Sequence, residues 1–287
     1  MQLDIFEHSR DVMLRNAVID ALRARDGASG AAAIRALAAE YAGDPLLPAF
    51  NRLLERLRLP VAAPLDRESA TEILQLTEDA ASAARQVFGT AAGAWLSPLW
   101  IELAVAVTDL LFDAGNEELY AVPILLRAGE FTAAASRVET IPSWRRQPAP
   151  LSWKVEAECR VSGLAAAWPL FAELSWMAPP RAAALAARLQ DSELNRLLRQ
   201  FDAQFEGDSE ADDFAWFPAW VLVAEPGWAG AMRLAQPGAD TPAERCSRQV
   251  LNLLLLERQG RHAEFIDGRR SLRALHPRLF DLYMRSR

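Results

Sequence analysis

The residues of this chain whose types could do chemistry are three histidines, two cysteines and one run of acids, and their spacing argues against most of what they could do. None of His8, His262 and His276 has a Glu three positions before it, so the Glu-x-x-His ligand pair of helical di-metal centres is missing. Neither His-Glu-x-x-His nor a His-Asp dyad occurs. His262 falls at the aromatic position of a helix–helix turn, where packing with partial exposure accounts for it. His8, among Glu7, Arg10 and Asp11, reads as a hydrogen-bonded surface histidine. Cys159 and Cys246 stand 87 positions apart with no Cys-x-x-Cys pair, which removes zinc and thioredoxin-like readings. Two reduced, mostly buried thiols of a cytosolic protein are expected.

Asp212-Asp213 invites comparison with the Asp-rich metal motif of helical prenyl-transfer enzymes. That chemistry needs carboxylates one helical turn apart, and here Phe214, Ala215 and Trp216 follow, so the third acid is absent. Asp208-x-Glu210-x-Asp212 is no EF-hand either, because Asp213 sits where that loop needs Gly and Ala219 where it needs Glu. An acidic, helix-starting loop is the simpler reading, since acids stabilise a helix N-terminus. Gly-x-Ser-x-Gly and Gly-x-Gly-x-x-Gly are absent, and Gly27-Ala28-Ser29-Gly30 lacks the Lys-Ser/Thr end of a phosphate loop. No catalytic, cofactor-binding or metal-binding residues are therefore expected.

Charge points toward binding. The net charge is −7 and Lys154 is the only lysine, which is not the footprint of a nucleic-acid binder; so strong a skew to arginine suggests a GC-rich bacterial genome. Between Asp191 and Asp213 eight acids face Arg196 and Arg199, whereas between Glu257 and Arg287 eight arginines face four acids. Solvated outer faces explain this simply. The alternative is that the basic end, with Arg269, Arg270 and Arg273, docks an acidic partner or the acidic segment of a second copy. Trp144-Arg145-Arg146, in the proline-rich stretch 142–150, combines residue types typical of interface hot spots. Either a partner covers Trp144 or it folds back between helices.

Helical periodicity runs through nearly the whole chain. Ile34, Leu37, Ala38 and Tyr41 form one apolar stripe; Leu47, Phe50, Leu54 and Leu57 form another; Leu194, Leu197, Leu198, Phe201 and Phe205 form a third. Abundant Ala, Leu, Arg and Glu agree, so the expected class is all-α. The patterns predict helices near 3–26, 31–42, 45–58, 66–88, 97–113, 117–128, 131–140, 150–161, 164–177, 180–190, 192–205, 211–224, 227–236, 242–258, 261–274 and 277–285. Ser69-Ala70-Thr71-Glu72 is a capping box, and Thr241-Pro242-Ala243-Glu244 adds proline at the first helical position; Ser97-Pro98 and Ser209-Glu210-Ala211-Asp212 mark further starts. The uncharged run Val87–Ile101 stops at Glu102, short of the ~20 apolar residues that a membrane span needs. With acids near the N-terminus where a signal peptide would be basic and then apolar, a cytoplasmic protein without membrane insertion is expected.

Spacing suggests how the helices stack. Ala28 and Pro45, Gly163 and Pro180, Glu225 and Pro242, and Gly260 and Pro277 are each seventeen positions apart, which fits one turn, a helix of about three turns and the next helix start. Gly129-Glu130-Phe131-Thr132-Ala133-Ala134 resembles the turn inside a tetratricopeptide (TPR) repeat, and Gly163 follows Gly129 by 34 positions, one TPR period. Ala165 and Trp168, then His262 and Phe265, stand at the corresponding offsets, with Trp168 and Phe265 where the family prefers Ala. The phase breaks between Gly163 and Glu225, 62 positions apart. The resemblance implies stacked antiparallel helical hairpins in a TPR-like α-solenoid, superhelical and continuous over residues 1–287, with a soft boundary near 142–150. It implies a non-enzymatic scaffold or adaptor that binds another protein or peptide, including a second copy of itself, on a helical-repeat face. The alternative is an all-helical enzyme whose acid-lined pocket assembles from distant helices.

Overall fold

The computed structural model describes residues 3–205, 213–238, 240–259 and 262–287. It is all-α, with no strand among the described residues, and it divides into two compact units, Met1–Glu130 and Phe131–Arg287.

In the first unit, α1 (Leu3–Arg23) packs on α2 (Gly27–Glu40), α3 (Leu47–Arg58) on α4 (Arg67–Phe88), and α4 and α6 (Ala121–Ala128) on α5 (Ala92–Ala106). Short connections make sequential neighbours pack back on one another. The expected stripes supply the core: Leu37 and Phe50 are fully buried beside Leu22, Leu53, Leu103 and Ile124. Asp26 caps α2 by accepting from the amides of Ala28 and Ser29. Asp66, not Ser69, caps α4: its carboxylate accepts from Ser69 N at 2.8 Å, which draws Arg67 and Glu68 into the first turn. The start expected at Ser97-Pro98 lies inside α5 instead. Burial of Trp95, Leu96, Leu99 and Trp100 outweighs the backbone bond that Pro98 removes, and Ser97 Oγ donates to the Ala128 carbonyl that ends α6. The helix stops at Ala106, short of the expected 113.

The second unit holds α7 (Phe131–Val138), α8 (Pro148–Ser162), α9 (Leu164–Met177), α10 (Pro179–Leu189), α11 (Ser192–Gln204), α12 (Phe217–Ala224), α13 (Pro242–Gln259), α14 (His262–Leu275) and α15 (Pro277–Arg285). Consecutive pairs α7–α8, α8–α9, α9–α10, α13–α14 and α14–α15 pack together, and α12 packs on α13. Its centre is aromatic: Trp168, Phe171, Phe217 and Trp220 are buried, with Trp168 4.7 Å from Trp228 and Phe201 5.3 Å from Phe217.

Gly163, at φ +84°, makes the tight α8–α9 turn in a backbone region that disfavours other side chains. Gly129 also has φ +84°, but the turn it makes joins helices of different units. Pro180, Pro242 and Pro277 occupy the first turns of α10, α13 and α15, where a missing amide hydrogen costs nothing. Between Glu225 and Pro242 no three-turn helix forms: a 3-10 turn (Pro226–Trp228) and one helical turn (Ala229–Met232) precede a loop. The proline-rich stretch 142–150, which falls between the helices expected at 131–140 and 150–161, contains a 3-10 turn at Trp144–Arg146 and the start of α8 at Pro148, because proline at a first helical position needs no donor. Gly260, Arg261 and the acids Glu206 to Asp212 lie outside the described residues, as do the side chains of His8, Arg258 and His262. Among the described residues no helix is long and apolar enough to cross a membrane.

Candidate functional site

The first unit carries a depression of about 490 Å³ between α4, α5 and α6. Ala81, Ala92, Leu96 and Trp100 make an apolar floor, and Glu78, Arg85, Gly93 and Arg127 complete its lining. Arg127 lies over the Trp100 ring at 5.6 Å and pairs with Glu78 at 3.3 Å and with Glu118. Its charge is thus already compensated. Arg85 is exposed and forms no ion pair among the described residues. Such a surface can seat an apolar side chain beside a carboxylate. Sequence reasoning noted the uncharged run holding Trp95 and Trp100 but attached no site to it, because Glu78, Arg85 and Arg127 converge only through the packing of three helices.

The residues that sequence reasoning singled out are placed differently from one another. Trp144 is half-buried against the second unit's core. Arg145 turns inward and grips the buried Glu173 with two bonds, Nε to Oε2 at 2.7 Å and Nη2 to Oε1 at 2.6 Å. The amide of Gln236 also donates to Glu173 Oε1, at 2.6 Å. Arg146 is exposed. On α14, Arg269 covers the Phe265 ring at 4.1 Å, and Arg273 covers Phe280 at 5.8 Å. One helical turn separates them, so both share a face. Arg270 is exposed and pairs with Asp267 at 2.9 Å. The basic end therefore uses arginines largely as covers for its own aromatic rings, a cation–π arrangement.

In the second unit two buried carboxylates, Glu173 and Glu244, were given no site role by the sequence. Glu173 is the one charge between Arg160 and Arg181, so a lone acid in an apolar helix was the available signal. Glu244 accepts from the amides of Gly238 at 2.9 Å and Asp240 at 3.1 Å, and pairs with Arg248 at 2.9 Å. Thr241 Oγ1 accepts from Glu244 N at 3.2 Å, the cap expected there. Glu173 and Glu244 thus anchor the loop before α13 from both ends.

His276 caps α15, its Nδ1 accepting from Leu279 N at 3.1 Å, and it packs against Trp216 and Phe205. Burial pushes its pKa down, and Arg278 adds to the effect. Both cysteines are free; burial raises the Cys159 thiol and pushes Cys246 up to about 12, so neither is a ready nucleophile. Among the described residues no group of three His, Cys, Asp or Glu side chains is placed to hold a metal ion. No family model matches the chain, and no curated protein or solved structure matches it.

Proposed function

We propose that this chain is a non-enzymatic helical scaffold that binds another protein or a peptide, built on TPR-like hairpins. The depression on α4, α5 and α6 carries the reading: an apolar floor and an arginine without an ion pair among the described residues offer a place for a partner's apolar and acidic groups, and require no reacting centre. The α8–α9 hairpin about Gly163, with Pro180 opening the next helix, supports the repeat element. Exposed Arg146 and Arg270 are second candidates for contact, whereas Arg145 is occupied within its own unit. Two free thiols suit a reducing, cytoplasmic setting. The acidic balance argues against nucleic acid as the partner. The enzyme alternative has less support, since the oxygens of Glu173 and Glu244 are engaged by backbone amides and arginines.

The test is affinity purification from lysate followed by mass spectrometry, with wild type and Arg85→Glu side by side. A defined partner should co-elute with the wild-type chain in simple stoichiometry and be lost with the variant. Identical captures by both proteins, or none, would remove the depression as the docking site.

A further inference from the structure

The α1–α2 turn places a second arginine beside a buried one. Arg25 holds φ +56°, a left-handed backbone conformation costly for any residue with a side chain. Its half-buried guanidinium lies 5.2 Å from the centre of the Trp95 ring and donates to the Trp95 carbonyl. Arg56, only 1% exposed, donates through Nε to Thr77 Oγ1 at 2.8 Å. Its Nη2 reaches the Leu99 carbonyl at 3.3 Å and Glu102 at 3.0 Å. Its Nη1 is buried with no partner.

Trp95 and Leu99 stand four residues apart on α5, so their carbonyls lie about 6 Å apart along one face of the helix. Arg25 and Arg56 therefore donate to carbonyls one helical turn apart on α5. Glu102, with 41% of its side chain exposed, is the carboxylate that faces both of them. Two positive charges against one negative, in a partly dry setting, is an arrangement that folding alone does not favour. Burial and the nearness of Arg56 push the Arg25 pKa down, as expected of like charges held together.

We infer that Arg25 and Arg56 form a binding site for a small oxyanion, a carboxylate or phosphate group seated between the two guanidiniums. An oxyanion there supplies Arg56 Nη1 with its missing acceptor and neutralises the second positive charge. Guanidinium forks match oxyanion geometry better than a point charge would. Arg25 and Glu102 are partly exposed, so an incoming anion passes them to reach the buried Arg56 Nη1. Glu102 competes with the incoming anion for Arg56.

The full chain should be titrated by calorimetry at constant ionic strength with inorganic phosphate and, separately, with acetate. We expect saturable one-to-one binding of at least one ion; the tighter of the two identifies the group. Arg25→Gly keeps a residue at home in the left-handed turn, so its unfolding midpoint should stay near wild type while affinity falls at least about tenfold. Glu102→Gln removes the competitor and should tighten binding. If neither ion binds saturably, or if Arg25→Gly binds as tightly as wild type, the site holds water only and the inference is wrong.

Discussion

Arg145→Ala separates a structural arginine from a partner-binding one. In the second unit, Arg145 makes two charge-assisted bonds to Glu173, whose side chain is 3% exposed against 23% for the arginine. Removing Arg145 leaves a buried carboxylate with the Gln236 amide as its remaining donor among these contacts. Breaking a buried ion pair from one side costs about 3–5 kcal/mol. Water that reaches the vacated, partly exposed arginine position lowers this to about 2–3 kcal/mol. With a urea slope of about 2 kcal/mol/M, the midpoint should fall by about 1–1.5 M. Tryptophan fluorescence is the assay, because seven tryptophans, Trp144 to Trp228, belong to this unit and only Trp95 and Trp100 to the other. Pairing Arg145→Met with Glu173→Gln should recover part of the loss, since no uncompensated charge then remains. A midpoint shift below about 0.2 M would refute the buried-pair argument and return Arg145 to the list of residues free to meet a partner.

Three further outcomes are expected. His276 has a folded-state pKa below the ordinary ~6.5, so the unfolded chain takes up the proton first as pH falls. Its stabilising effect is complete above about pH 6.5 and is lost as pH drops through the folded value. His276→Asn should keep the α15 cap and flatten this dependence, and His276→Ala should cost about 1 kcal/mol at neutral pH; urea midpoints between pH 5 and 8 check both. Gly268→Ala should destabilise by about 1 kcal/mol despite better helix propensity, because the new Cβ would stand 2.8 Å from Leu253 Cδ2 and 2.9 Å from Gln249 Nε2; a stability equal to or above wild type in thermal unfolding contradicts this. Tyr283→Phe removes the 2.7 Å bond to Glu257 and should cost about 1 kcal/mol in the same measurement, with secondary structure unchanged by circular dichroism.

Helix content was legible because its causes are local. Stripes such as Ile34–Leu37 and Leu194–Leu197–Phe201 recur every three to four residues, and each buries the expected face. Prolines at 180, 242 and 277 open helices for a reason that one residue carries by itself. Start signals failed where a rival residue or burial intervened, although the helix expected over 66–88 itself runs Arg67–Phe88. Asp66 out-competed Ser69 as a cap, and the Trp95–Trp100 segment carried its helix through Pro98.

The surface proved harder to read than the core. Trp144-Arg145-Arg146 looks uniform as a triplet, yet the fold sends its three side chains to a half-buried packing site, a buried carboxylate and solvent. The arginines of α14 look like a basic patch, yet Arg269 and Arg273 lie across aromatic rings of their own unit.

What the sequence by itself determined is the all-helical class, most of the helices and which of their faces are apolar, because propensity and periodicity act within a turn or two of the chain. Only the tertiary structure decided which charges are used up and which remain available. Arg145 meets Glu173 across 28 positions and Arg56 meets Glu102 across 46, while Arg85 meets no counter-charge among the described residues. Coulombic partnership depends on distance through space, and no spacing along the chain encodes it.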